Sequence, residues 1–145
     1  MDGDRFQLER FVAAQDRDGT FERALSELRT GHKRGHWIWF VFPQIAGLGL
    51  SETSRFYAVT SLDEAGAYLA HPTLGPRLVE AAEALLAQPE RNADAVLGAI
   101  DAIKLRSSMT LFAAVAGAPP VLRRVLDEFY AGAEDPATRQ RLGLF

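Results

Sequence analysis

Apolar residues recur every three to four positions along most of this chain, the period of an amphipathic α-helix. Phe6, Leu8, Phe11 and Val12 form the first stripe and predict a helix ending near Gln15. Asp16 to Gly19 reads as a turn. Thr20 is then placed to cap a second helix, with Phe21, Ala24, Leu25 and Leu28 inward and Gly31 as its stop. Ser61-Leu-Asp-Glu64 matches a capping box, predicting a helix from Leu62 to about Ala70, which His71-Pro72 breaks. Leu74 to Ala87 is a further helix with Leu78, Ala81, Ala82, Leu85 and Leu86 inward. Asn92 caps a short helix to Leu97, and Gly98 ends it. A longer helix covers about Ala99 to Ala116. Pro120 opens another through Phe129, and Asp135-Pro136 starts a last short one.

Residues 36–42 are ambiguous by composition. Trp, Ile, Phe and Val favour strands, and Pro43 disfavours helix at Phe42. No second segment alternates, so a strand here lacks a partner, and the segment is expected to form a buried helix or a turn of helix. Ala46 to Leu50 reads as a glycine-hinged loop, with Ser51 capping a helix through Tyr57. The fold class is therefore all-α: about seven or eight short helices around an aromatic-rich central segment, with residues 1–145 as a single domain.

Composition adds limits. There is no cysteine among the 145 residues, so no disulfide, thiol nucleophile or thiolate metal site exists. The net charge of −3 argues against a general nucleic-acid binder, whose affinity comes from neutralising phosphates. The N-terminus lacks the apolar stretch of a signal peptide, and WIWFVF is too short to span a bilayer. The expectation is a cytoplasmic monomer without membrane contact.

Candidate chemistry concentrates in two segments. In HKRGHWIWFVFPQ, the basic or chargeable His32, Lys33, Arg34 and His36 run directly into both tryptophans, Trp37 and Trp39, with Phe40, Phe42 and Gln44 beyond. Cations beside aromatic faces suit a planar anionic ligand, the ring stacking and the cations holding phosphate or carboxylate. The alternative is that the aromatics are core. His32 and His36 are four apart, but Lys33 and Gly35 intervene and no carboxylate completes a set, so no metal is expected. In the second segment, a helix places Asp101, Lys104 and Ser108 on one face among apolar groups, with Ser107 beside them. This is either an ion pair at the edge of the core or a pocket wall. Lys104 and Ser108 act as base and nucleophile only if burial alters the lysine. Other carboxylates, including Asp63, Glu64, Glu80, Glu83 and Asp94, read as capping or solvated.

The runs ELRTGHKRGHWIWFVFPQIAGLG, SLDEAGAYLAHPTLGPRL and DAIKLRSSMTLFAAV resemble the bacterial and fungal family called domain of unknown function 1810, over about Leu8 to Tyr130. The resemblance implies a small, predominantly helical protein and signature positions, but no activity. Phe21 stands where the family pattern has Tyr, so no hydroxyl role is implied there. Such proteins are often labelled calpastatin, yet that calpain inhibitor is an unfolded, repeat-built chain of opposite physics. A looser order of aromatic block, HP-x-L helix and late lysine-bearing helix is similar to a helical family that processes NAD- or ADP-ribose-linked compounds.

The resulting expectation is a cleft between residues 32–44 and the 101–112 helix that binds a small anion, nucleotide or ADP-ribose-like, without a cofactor. Lys33, Arg34, His36, Trp37, Trp39, Gln44, Lys104, Ser107 and Ser108 would bind it. Asp101, Lys104 and Ser108 are the catalytic candidates if the protein is a hydrolase-type enzyme, a question the sequence leaves open. The competing expectation is a protein-interaction module using the same aromatic and basic segment.

Overall fold

A computed structural model describes residues 4–144. The chain is all-α. Its elements are α1 (Glu9–Asp16), a 3₁₀ turn (Arg17–Gly19), α2 (Thr20–Thr30), α3 (Ile38–Val41), α4 (Glu52–Phe56), α5 (Leu62–Ala70), α6 (Leu74–Ala87), α7 (Ala93–Leu97), α8 (Ala99–Ala113), α9 (Pro120–Tyr130) and α10 (Pro136–Arg141). The central element is α8, which packs against α3, α5, α7, α9 and α10. Its run Ser107–Phe112 is wholly buried. Helix α6 bridges α2, α5 and α9, and α1 lies on α2 and α3. The core is one continuous cluster in which Phe11, Trp37, Phe42, Tyr68 and Phe112 are the fully buried aromatic members. Residues 36–42 contribute a single helical turn, α3, and two of its residues, Ile38 and Val41, are buried.

Most helix ends fall where local chemistry directs them. Ser61, Asn92, Asp135 and Ser51 each accept from a first-turn amide. Gly31 ends α2 in the left-handed region at φ 80°. Four details differ from expectation. Helix α1 starts at Glu9 rather than near Phe6, because Gln7 sits at φ 56° and the Asp4 carboxylate accepts from the Leu8 and Glu9 amides. Thr20 does not cap α2: its hydroxyl donates to the Arg17 carbonyl at 2.6 Å, and Gly19, at φ 68°, makes the turn. Helix α8 stops at Ala113, where tighter bonds from Ala114 to Leu111 and from Val115 to Phe112 replace the α-helical pattern.

The fourth difference is Glu64. It is buried, not solvated, and it completes no reciprocal capping box. Its carboxylate accepts from the Thr60 amide at 2.9 Å and hydroxyl at 2.8 Å, and pairs with Arg10 at 3.0 Å. Arg10 also donates to the carbonyls of Phe6, Gln7, Phe56 and Ala58. One guanidinium thus ties the N-terminal turn to α4 and α5. Among the described residues, extended pairing is confined to a single parallel bridge, Ile45 to Val59.

Candidate functional site

The tryptophan segment is shaped from α2. After the left-handed turn at Gly31, the Lys33 amide donates to the Val96 carbonyl of α7 at 2.8 Å. Residues 34–37 then fold over the last turn of α2, where Glu27 collects three donors. Its Oε1 accepts from the Arg34 amide (2.8 Å), the Gly35 amide (3.0 Å) and the Trp37 indole (2.9 Å). Partial burial works to raise the Glu27 carboxyl. The amides of Gly35 and Arg34, the Trp37 N–H and the Lys33 charge outweigh it, and the group is held below the usual carboxylate range. Gly35 is required for close approach: a Cβ there would lie 2.9 Å from Trp37 Cδ1.

Beneath this fold the two sequence segments meet. Lys33 Nζ lies 2.8 Å from Asp101 Oδ2, and Lys104 Nζ lies 3.8 Å from Asp101 Oδ1. The side chains are 7% (Lys33), 18% (Asp101) and 20% (Lys104) exposed. Lys33 also donates to the Gly35 carbonyl. Each ammonium sits over a tryptophan: Lys33 is 5.0 Å from the Trp37 ring centroid and Lys104 is 5.1 Å from that of Trp39. Residues 33, 37, 39, 101 and 104 therefore form one assembly whose cations are already engaged by a carboxylate.

The other sequence candidates lie apart from it. Arg34 and His36 are exposed, as is His32. Gln44 gives its carbonyl to the Val59 amide at 2.9 Å and lines a different concavity, with Gly47, Gly49 and Arg55. The Ser107 hydroxyl is hydrogen-bonded to Thr138 of α10 at 2.8 Å, a contact that fastens α10 to α8. Ser108 Oγ and Trp39 Nε1 are buried without a hydrogen-bond partner among the described residues, so no bond joins Ser108 to Lys104. Among the described residues no three His, Asp or Glu side chains stand close enough to hold a metal ion. No helix among them is long and apolar enough to cross a membrane.

Open space lies on the outer side of the segment, in two adjoining concavities. One, of about 190 Å³, is lined by Arg17, Arg23, Glu27, His36, Trp37, Phe40 and Tyr57, the Glu27 carboxylate being the one already held by the Arg34, Gly35 and Trp37 N–H groups. The other, of about 480 Å³, is lined by His36, Trp39, Phe40, Glu52, Thr53, Phe56 and Tyr57. They share His36, Phe40 and Tyr57, and neither Lys33 nor Lys104 lines them. Arg17 and Arg23 are exposed and form no ion pair among the described residues. Arg23 instead donates to the Asp18 carbonyl and to Thr20 Oγ1. The aromatic wall is continuous: Phe40 and Tyr57 have ring centroids 5.3 Å apart, Tyr57 and Phe56 4.8 Å. Sequence reasoning missed Arg17, Arg23, Glu27 and Tyr57. The first three sit on the 3₁₀ turn and α2, ten or more residues upstream of Trp37, and Tyr57 sits just beyond α4, so only the tertiary fold brings them to the tryptophans.

A family model described as "Protein of unknown function (DUF1810)" matches residues 5–142. Among solved structures, the conserved hypothetical protein Rv1873 from Mycobacterium tuberculosis is similar with a TM-score of 0.91 and 44% sequence identity, over 97% of this chain and 99% of that one. No curated protein matches.

Proposed function

We propose that this chain, which belongs to the DUF1810 family, binds a small planar anion of the mononucleotide class in the groove on the outer side of Trp37 and Trp39. The observation that carries the reading is the junction of the two concavities: a basic half with Arg17, Arg23 and His36 shares His36, Phe40 and Tyr57 with an aromatic half. A phosphate suits the first, because guanidinium groups without a carboxylate partner offer N–H donors and positive charge to its oxygens. A base suits the second, because it offers faces for stacking and excludes water from one side of a ring. Lys33, Asp101 and Lys104 then act as positioning residues. Each lysine is seated on a tryptophan that lines the groove, so the ion-paired trio fixes both rings without touching the ligand.

Isothermal titration of the protein with AMP, with inorganic phosphate and adenosine as the halves, tests this. The expected result is saturable binding of AMP, weaker for either half, and lost in an Arg17→Ala/Arg23→Ala variant that remains folded. Absence of heat with AMP, GMP, CMP and UMP alike would sink the reading. A second reading, a protein-interaction module, is supported by Ile100 and Ile103, which are 72% and 65% exposed and stand three apart on α8 beside Asp101 and Lys104.

A further inference from the structure

The groove does not end at Phe56. Phe56, 59% exposed, also lines a third concavity of about 470 Å³ together with Arg5, Phe6, Arg10 and Arg55. Three arginines face this space, and they differ in state. Arg10 is saturated by four carbonyls and the Glu64 carboxylate. Arg5 and Arg55 are exposed and form no ion pair among the described residues, and Arg5 lies over the Phe6 ring, its guanidinium carbon 4.7 Å from the centroid. The aromatic run Phe40–Tyr57–Phe56 therefore has arginines without a carboxylate partner among the described residues at both ends: Arg17 and Arg23 at one, Arg5 and Arg55 at the other.

We infer that Arg5 and Arg55 form a second phosphate subsite, and that the groove takes a 5′-phosphorylated dinucleotide, whose first nucleoside spans the aromatic floor between its 5′-phosphate and its phosphodiester and whose second nucleoside continues past Arg5 and Arg55. The inference rests on the mononucleotide reading and names the larger ligand that reading fits. Two cationic ends with an aromatic floor between them match the alternation of phosphate and base in such a molecule. Length is limited by charge. The chain carries −3 overall, while the three concavities gather five arginines against three glutamates. The remaining residues are therefore more acidic in sum than the chain as a whole, which disfavours a longer strand.

The test compares AMP, the dinucleotide pApA and an adenosine octanucleotide by calorimetry, on the full chain and on Arg5→Ala/Arg55→Ala. Both substituted side chains are exposed, so the variant keeps its fold. The expected result is pApA binding at least ten-fold tighter than AMP. The variant should lose that gain while its affinity for AMP stays unchanged, and the octanucleotide should add nothing further. Equal affinity for AMP and pApA, or equal weakening of both in the variant, would overturn the second subsite and leave mononucleotide binding standing. An octanucleotide binding ten-fold tighter than pApA would overturn the short ligand in favour of an extended strand. No binding of any of the three would overturn this inference and the reading beneath it together.

Discussion

The segment around Trp37 and Trp39 has two sides, and their cations behave in opposite ways. On the inner side, Lys33 and Lys104 converge on Asp101 and are sheltered by the indoles. On the outer side, Arg17 and Arg23 face a cavity with no carboxylate paired to them among the described residues. The lysine written closest to the tryptophans in sequence is thus the one the fold has neutralised. The two arginines of the basic half, Arg17 and Arg23, come from elements that sequence places well upstream. Proximity along the chain marks where charge is abundant, and only the pairing in space decides which charge is free.

The sharpest way to break the contrast is to remove the inner carboxylate. Asp101→Ala leaves the nearly buried Lys33 ammonium without its counter-charge, and breaking a buried pair from one side costs several kcal/mol. With Asp101 itself partly exposed, the expected loss is about 3 kcal/mol, read from urea denaturation. A loss below about 0.5 kcal/mol would mean that the inner cations are as free as the outer ones.

The next largest effect tests what holds the segment between its two sides. Glu27→Ala strips three N–H groups of their acceptor, at an expected cost of about 2 kcal/mol. Because the folded-state pKa of Glu27 lies below its ordinary value of 4.5, its contribution is fully present above pH 4.5 and is lost as the pH falls through the lowered folded value. The difference in stability between the native protein and Glu27→Gln should therefore shrink on acidification below pH 4.5, as measured by denaturation at a series of pH values. A difference that grows on acidification would refute the role given to this carboxylate.

The smallest effects separate the two sides most finely. Lys104→Ala removes a 3.8 Å contact and a cation over Trp39 and should cost about 1 kcal/mol. Replacing the Arg17 side chain by Arg17→Ala removes no hydrogen bond or ion pair seen among the described residues and should leave the unfolding free energy within about 0.5 kcal/mol of the native protein, while AMP affinity falls at least ten-fold. Equal stability losses in the two variants would erase the distinction between engaged and free cations.

How much of this was legible in the sequence follows from the range of the forces involved. Helix ends at Ser61, Asn92, Asp135, Gly31 and Gly98 were readable because a cap acts within a turn of the chain. Thr20 misled because its hydroxyl has two acceptable local uses, and the left-handed Gly19 next to it decided between them. Glu64 misled because its partner Arg10 lies 54 residues away in sequence. The 32–44 and 101–112 segments were singled out by unusual mixtures of charge and aromatic area. Their meeting through Asp101 is a long-range fact, and so is the turning of Ser107 toward Thr138 rather than toward the tryptophans.

The unequal setting of the two indoles has an optical consequence. Trp37 is 1% exposed and donates to a carboxylate, whereas Trp39 is partly exposed, carries no such bond and lines the aromatic half of the groove. The protein thus contains two intrinsic fluorophores of different accessibility. A quencher in solution should extinguish Trp39 emission well before that of Trp37, and a molecule seated in the groove should shield Trp39 alone. Occupancy can then be followed on the native protein without any attached dye.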